Sequence, residues 1–226
     1  MYKFFVINSS NSFPMYLSLY YNVKKGVFLV VYTQVKYDKR FYQYTISSDN
    51  VQVQSNLWKR NLLSVSTHKS NDTKYTFLLM NPSAAVYDKS DRTVNKVIKD
   101  AHNDGAGIVD VVNIFPFYET DSKKLGKVMS KINEAQLNTI TEENLRVIKR
   151  SIESSVKSGG KVICGWGNRP TRLNKSNLRI YCSNLNSIKS ILSSYSEILL
   201  CYRTNITGMP SHPLYNYNDF RRYTLT

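Results

Sequence analysis

The chain has 226 residues, 42% of them hydrophobic and 21% charged, with a formal net charge of +15, so it can bury a core and is not a disordered chain. No run of about 18 apolar residues occurs, and the apolar stretch at the N-terminus is too short for a signal peptide, so we expect a cytoplasmic protein without membrane contact. The three widely spaced cysteines and three histidines do not form a zinc-ligand pattern, so we expect no metal, no cofactor and cysteines that pack as small core residues.

Residues 1–73 are predicted to form a β-rich N-terminal segment or subdomain. Stretches rich in Tyr, Val, Phe and Thr predict strands, several of them alternating, and the motifs KKG and SSDN supply turns between them. An antiparallel meander is therefore expected, ending in the polar stretch STHKSNDTK. Its strands are predicted at 16–23, 26–37, 40–47 and 50–58.

Residues 74–226 are predicted to form an α/β domain in which a mostly parallel central sheet is flanked by helices. Short apolar strands alternate with amphipathic helices, which is typical of parallel sheets. The strands are predicted at 74–80, 107–115, 161–166 and 197–202, and the helices at 91–104, 131–157 and 184–194.

The first two predicted helices carry clear apolar faces. Asp91 stands near the start of the first helix, and the TEEN motif at 141–144 is a candidate N-terminal signal in the second, which Gly159 and Gly160 end. The apolar stripes are Val94, Val97, Ile98 and Ala101 in the first helix, and Leu145, Ile148, Ile152 and Val156 in the second.

The positive charge is concentrated at the two ends of the sequence. Residues 1–73 carry 9 Lys and Arg against 3 acids, residues 74–156 carry 12 against 11, and residues 157–226 carry 10 against 2. A polyanion partner explains such segregation better than a uniformly solubilising surface does. We therefore expect a nucleic-acid partner, and no basic amphipathic helix suggests a membrane surface instead.

Polar motifs follow four predicted strands. They are Asn81-Pro82-Ser83, Asn113 with IFPF, Trp166-Gly167-Asn168-Arg169-Pro170, and the segment from Thr207 to Tyr215. Parallel sheets bind ligands beyond the carboxyl ends of their strands, so these motifs are expected to converge on one edge.

These motifs carry a family resemblance. The stretches LLMNPSAAVYDKSDRTV, VVNIFPFYETD, VICGWG and GMPSHPLY resemble the bacterial and phage family catalogued as domain of unknown function 1643. The resemblance covers residues 74–217, and residues 1–66 do not visibly share it. The family label implies no activity.

A second resemblance is to uracil-DNA glycosylases. Asn81-Pro82-Ser83 is similar to the first motif of that superfamily, Asn113 stands where it has a base-recognising Asn, Trp166-Gly167 matches its W-G, and His212-Pro213 matches the start of its H-P-S turn. The glycine of the first motif is Leu79 here, and the Ser after His-Pro is Leu214. The resemblance implies a glycosylase-like fold and a monofunctional enzyme that flips uracil out of DNA and hydrolyses its N-glycosidic bond.

Three residues are candidates for the chemistry. His212 would stabilise the leaving base as a neutral donor, Asn81 would hold the attacking water, and Asp91 is the carboxylate that could act as base instead. Each also has a structural interpretation: His212 as a loop fastener, Asn81 as a turn residue before proline, and Asp91 as a helix N-cap.

Further residues are candidates for binding the base and the DNA. Asn113 offers an acceptor and a donor to the edge of uracil, or else caps backbone groups at the strand end. Pro82 and Ser83 would line the base pocket, and Tyr87, Phe115 or Phe117 would stack on the base, whereas Trp166 is expected to pack in the core. The candidates for DNA contact are Arg92, Arg169, Arg172, Lys175, Arg179, Ser211, Arg221 and Arg222, with Leu214 or Tyr215 as a wedge in the gap left by the base.

Other functions remain as hypotheses. A non-catalytic nucleic-acid-binding protein on the same fold fits the weak water-activating group at Asn81, and an enzyme acting on free nucleosides or nucleotides would not need an extended basic surface. A nuclease would need a carboxylate cluster for Mg²⁺, which the sequence does not suggest. The expected partner is DNA, single- or double-stranded, bound by a monomer.

Overall fold

A computed structural model describes residues 35–119, 124–171, 173–215 and 218–225, and these described residues belong to one compact unit. The strand predicted at 16–23, and all but the last residues of the one predicted at 26–37, lie outside the described residues. No helix within these ranges is long and apolar enough to cross a bilayer. The strands are β1 (Tyr42–Gln54), β2 (Leu57–Thr67), β3 (Lys74–Leu79), β4 (Ile108–Asn113), β5 (Val162–Cys164), β6 (Leu199–Cys201) and β7 (Arg221–Arg222), and the helices are α1 (Arg92–Asn103), α2 (Leu125–Met129), α3 (Glu134–Lys157) and α4 (Lys175–Ser193).

The strands of the described ranges form one mixed sheet in the order β1-β2-β4-β3-β5-β6-β7. Four adjacent strands, β4, β3, β5 and β6, are parallel, whereas β2 pairs with β4, and β7 with β6, in antiparallel fashion. The predicted α/β class is confirmed, but the sheet is only partly parallel. The hairpin β1-β2, predicted as part of a separate segment, joins the same sheet because Leu62–Ser66 pair with Ile108–Val112.

The turn predicted at SSDN is wrong. β1 continues through residues 47–50 with several register shifts, and the hairpin turns at Ser55 and Asn56 instead. Asn56 has a φ of 63°, a left-handed conformation that asparagine tolerates better than most residues. The turn is therefore formed by Ser55 and Asn56, which lie inside the strand predicted at 50–58.

The two faces of the sheet bury separate cores. The pleat of β3 directs Tyr75, Phe77 and Leu79 to the α1 side, and Leu78 to the side of α3 and α4. The predicted apolar face of α1 is confirmed, since all four of its residues are buried. A central parallel region requires that helices cover both faces of the sheet, as they do here.

Two helix boundaries and one apolar position differ from the predictions. α3 starts at Glu134, where the Asn133 side chain accepts a hydrogen bond from the Gln136 N–H, so the TEEN motif lies inside the helix. α4 starts at Lys175 rather than 184, and Val156 is exposed.

The cysteines do not all belong to the core. Cys164 and Cys201 are buried in β5 and β6, and burial raises the pKa of the Cys164 thiol. Cys182 is exposed on α4, which corrects the expectation of three core cysteines. Within the described ranges, no three His, Cys, Asp or Glu residues lie close enough together to hold a metal ion.

We predict that Gly160→Ala destabilises the protein. A β-carbon at Gly160 would lie 1.8 Å from the Lys74 carbonyl oxygen, so the start of β3 must shift. The expected loss is about 1–3 kcal/mol in the free energy of unfolding, measured by urea denaturation. Lys157→Ala, an exposed change at the same helix end, is the control and should cost less than about 0.5 kcal/mol. Equal stability of the two variants would contradict the close approach.

Candidate functional site

The carboxyl ends of four neighbouring strands meet at one edge of the sheet, as the sequence predicted. Leu79 pairs with Asn113, and Cys164 pairs with Leu78 and Cys201, so the four strands end at nearly the same level. The segments that leave these ends carry the predicted motifs. Because α1 follows β3 and α4 follows β5, the N-termini of both helices also lie at this edge.

Asn81, at the end of β3, connects two strand-end segments. Its amide nitrogen donates to the carbonyl oxygens of Glu119 and Pro82, and the Pro82 carbonyl accepts from the Glu119 N–H at 3.1 Å. The amide nitrogen is thus used to hold the β3 and β4 segments together. The role of binding a water would fall to the acceptor atom, Oδ1.

Asp91 is the N-cap of α1, which confirms its structural interpretation. One carboxylate oxygen accepts from the Val94 N–H at 2.9 Å, and the other accepts from the Ser83 hydroxyl and from the Ala84 and Ala85 N–H groups at 3.3 and 3.2 Å. The buried carboxylate therefore fixes both the helix start and the segment after β3. With four donors on two oxygens, Asp91 is engaged as an anchor rather than free to act as a base, and Ser83 is engaged with it.

Arg60 is a residue of this edge that sequence reasoning missed. It is 1% exposed, donates from Nη1 to the Ala85 carbonyl, and lies with its guanidinium 5.5 Å from the centre of the Tyr118 ring. The Tyr118 hydroxyl donates to the same carbonyl at 3.1 Å. Ala85 is thus held by Arg60 and Tyr118 at its oxygen and by Asp91 at its nitrogen. Arginine side chains are rarely fully buried, and no local pattern around Arg60 indicates that it would reach the Ala85 carbonyl.

Asn113 is 1% exposed at the end of β4, and neither atom of its carboxamide bonds to another residue in the described part of the chain. Its backbone carbonyl accepts from the Asn144 amide at 2.9 Å, and the next carbonyl, of Ile114, accepts from Asn144 at 3.2 Å and from Asn184 at 2.6 Å. Asn144 and Asn184 were also missed by the sequence analysis. The carboxamide of Asn113 bonds neither Asn81 nor His212, and solvent does not reach it, so a ligand reaches it only if a covering segment moves.

The ring of His212 is held in one tautomer by its own loop. The Leu214 N–H donates to Nδ1 at 3.3 Å, so the ring proton resides on Nε2. Burial lowers the pKa of His212, and the nearby negative charge of Asp91 partly opposes this shift. The imidazole is therefore neutral at pH 7, with Nε2–H available as a donor. The loop is tied to the β5 end because the Pro210 carbonyl accepts from the Gly167 N–H at 2.9 Å.

The aromatic candidates divide by exposure. Phe115 is fully buried in the core beside α3 and α4, with its ring centre 6.1 Å from that of Tyr181, which corrects its predicted role as a stacking ring. Phe117 is likewise fully buried, whereas Tyr87 is 58% exposed near Asp91 in sequence and remains available. Trp166 packs edge-to-face on Tyr223, as predicted for a core residue.

Most of the predicted DNA-contact residues lie exposed at this edge. Arg92 and Lys175 are the first residues of α1 and α4, and Arg169 follows β5. Arg172 lies outside the described residues. Ser211 is buried, which corrects its assignment as a contact residue. The remaining exposed candidates are Arg179 in α4, Leu214, Tyr215, and the β7 pair Arg221 and Arg222, of which Arg221 lies 3.6 Å from Asp219.

We predict that Asp91→Ala lowers the free energy of unfolding by about 2–4 kcal/mol, because a helix cap and several buried hydrogen bonds are lost together. Asn174→Ala is the control, since the Asn174 side chain caps α4 through one bond to the Asn177 N–H at 2.8 Å. The control should cost about 1 kcal/mol. Similar losses in both variants, measured by urea denaturation, would contradict the anchoring role of Asp91.

Comparison with known proteins gives a family but no activity. No curated protein and no solved structure matches the chain. The family model described as "Protein of unknown function (DUF1643)" matches residues 57–214, so the match begins within β2, earlier than the resemblance at residue 74 had suggested. Because this match spans more than half of the sequence, and includes three strand-end motifs and the fourth as far as Leu214, the chain belongs to the DUF1643 family.

Proposed function

We propose that the chain is a DNA glycosylase that excises uracil. The observation that carries this proposal is His212, a neutral imidazole at the carboxyl edge of the sheet whose Nε2–H is left as a donor by the bond from Leu214 to Nδ1. Cutting the bond between the sugar C1′ and the base nitrogen leaves negative charge on the base. A preoriented neutral donor stabilises such charge without first losing a proton, which is a large term in a site shielded from water.

The other groups at this edge support the two remaining parts of the reaction. The bond from C1′ to the base breaks and its electron pair leaves with the base, water adds its oxygen to C1′ and keeps one proton as the new C1′ hydroxyl, and the other proton passes through solvent to the base anion. Asn81 would orient that water through Oδ1, and the negative charge of Asp91 would favour an oxocarbenium-like sugar from its anchored position. An amide is not a strong base, so this version of the reaction is expected to be slow.

Asn113 supports recognition of uracil. Its carboxamide offers one donor and one acceptor, which complement the acceptor and donor on the edge of uracil, and neither is used within the described part of the chain. A buried amide without partners costs about 1–3 kcal/mol, so a base that satisfies both atoms recovers this energy. Because solvent does not reach the amide, base entry must be coupled to the opening of a covering segment, and exposed Tyr87 is the candidate to stack on the base.

DNA is the proposed partner because of the charge at the same edge. Exposed Arg92, Arg169 and Lys175 stand at the ends of segments that leave β3 and β5. Residues 157–226 have an excess of eight positive charges. Lysine and arginine side chains at such positions neutralise phosphates, and binding is then expected to weaken as salt concentration rises.

A second candidate function is nucleic-acid binding without chemistry. It is favoured by the engagement of both Asp91 oxygens, by the use of the Asn81 amide nitrogen in a structural contact, and by the closed position of Asn113. The two functions differ in one product, since only the glycosylase leaves abasic sites in DNA.

We predict that the wild-type chain forms abasic sites in uracil-containing oligonucleotides and that His212→Ala lowers the single-turnover rate at least about 100-fold. Labelled single and double strands with uracil, hypoxanthine or a thymine mismatch are incubated with excess protein, and strand cleavage after alkali reports the abasic sites. His68→Ala, an exposed histidine bonded to the Lys39 carbonyl, is the control and should leave the rate unchanged. Intact wild-type reactions on every substrate would leave only the binding function.

We also predict an acid limb in the pH profile. The lowered pKa of His212 means that its ring gains a second proton only below the ordinary value of 6.5, and Nδ1–H would then face the Leu214 N–H, two donors in opposition. The value of kcat/KM should therefore be flat near neutral pH and fall as the pH drops through the His212 pKa, below 6.5. His212→Asn has no group that titrates there, so its residual activity should lack this limb. The same limb in both proteins would assign it to another residue.

A further inference from the structure

The turn between β6 and His212 presents an isoleucine to solvent at the carboxyl edge of the sheet. Ile206 is fully exposed, with a relative accessibility of 107%. A single exposed apolar side chain is ordinary on a protein surface, so this exposure has no meaning by itself. The rigidity of the turn, its position and the charge around it set Ile206 apart from other exposed apolar residues.

Hydrogen bonds brace the turn from within and from the neighbouring strand end. The Asn205 carbonyl accepts from the Gly208 N–H at 2.9 Å, which closes a β-turn with Ile206 at its second position, and Gly208 has a φ of 78°. The Asn205 side-chain oxygen accepts from the Met209 N–H at 3.1 Å, and its amide nitrogen donates to Asn168 Oδ1 at 2.6 Å. Ile206 is thus held out on a preorganised support that has little conformational entropy to lose on binding.

The base of this turn joins the segment that carries His212. The Pro210 carbonyl accepts from the Gly167 N–H at 2.9 Å, and His212 follows Pro210 by two residues. Leu214, two residues further on, is also exposed. Ile206 and Leu214 are therefore two exposed apolar side chains that precede and follow His212 at the same edge.

The charges in the C-terminal part of the sequence, which contains the turn, favour a polyanion over an apolar protein partner. Residues 157–226 contain ten Lys and Arg residues and two acids. One acid, Asp219, lies 3.0 Å from Arg203, and the other, Glu197, precedes β6 at the opposite end of that strand. Arg169 is exposed directly after the residue that braces the turn.

We infer that Ile206 inserts into the base stack of duplex DNA as a second apolar wedge, separate from the Leu214–Tyr215 segment. The inference rests on the DNA partner of the proposed function and not on its chemistry. Apolar side chains that enter a base step unstack it, and phosphate contacts from flanking cations hold the protein in place. A braced isoleucine, together with exposed Arg169 beside the bracing Asn168, supplies both parts. It would help to extrude a base from a duplex but have no such task on a single strand.

The test compares Ile206→Ser with Ile46→Ser on duplex and single-stranded DNA. Ile46 is also an exposed isoleucine, 44% accessible, but lies on β1, five strands from β6 and so about 24 Å away across the sheet. Binding of an oligonucleotide with 2-aminopurine next to a uracil is followed by fluorescence, which rises when the neighbouring base unstacks, and affinity is followed by anisotropy. Both substitutions are at exposed positions, and circular dichroism verifies that both variants are folded.

Wild type and Ile46→Ser should show the fluorescence rise on duplex DNA, whereas Ile206→Ser should lose most of it and bind the duplex about tenfold more weakly, with single-strand affinity within about twofold of wild type. Equal fluorescence and affinity of Ile206→Ser and wild type on the duplex would overturn the inference, as would an equal loss on duplex and single strand, or no binding of wild type to DNA. Unstacking without abasic sites would contradict only the glycosylase chemistry. Abasic sites without any effect of Ile206→Ser would contradict only the role of Ile206 as a wedge.

Discussion

The parallel pairing of β3 with both β4 and β5 is the constraint on which the candidate site depends. These three strands and β6 share one direction and nearly one level of termination, so segments far apart in the sequence leave the sheet side by side. The backbone carbonyls beyond the last ladder bonds still need partners, and side chains from α3 and α4 supply them at Asn113 and Ile114. The edge is therefore built from both the ladder and the helices behind it.

Within this edge, Asp91 couples elements that would otherwise be independent. Its carboxylate starts α1, holds the backbone after β3 and contributes negative charge near His212. Arg60 from β2 binds the same stretch of backbone from the other side, at the Ala85 carbonyl. The Asp91 carboxylate and the Arg60 guanidinium thus bind the same loop without contacting each other directly, and both stabilise its conformation.

Periodicity was sufficient for the parts of the fold in which one face of an element is buried. The α1 stripe and the strands β3 to β6 follow from local patterns of apolar residues, because burial of one face imposes the helical or strand period. Such local patterns do not specify long-range pairing. No local feature of the sequence shows that β2 lies against β4, or that Asn144 and Asn184 donate to the carbonyls at the end of β4. The same limit explains Phe115, since an aromatic residue after a strand has one local signature whether it lines a pocket or fills a core.

The pairing of the β1-β2 hairpin with β4 has a consequence for how the chain could be divided. Residues 74–226, taken alone, would expose the long edge of β4 as a row of unpaired peptide groups, which invites association with other strands. They would also lack Arg60, so the backbone around Ala85 would lose one of its supports. The hairpin thus forms part of the site beside it, and substitutions within the hairpin are expected to affect residues that lie far along the chain.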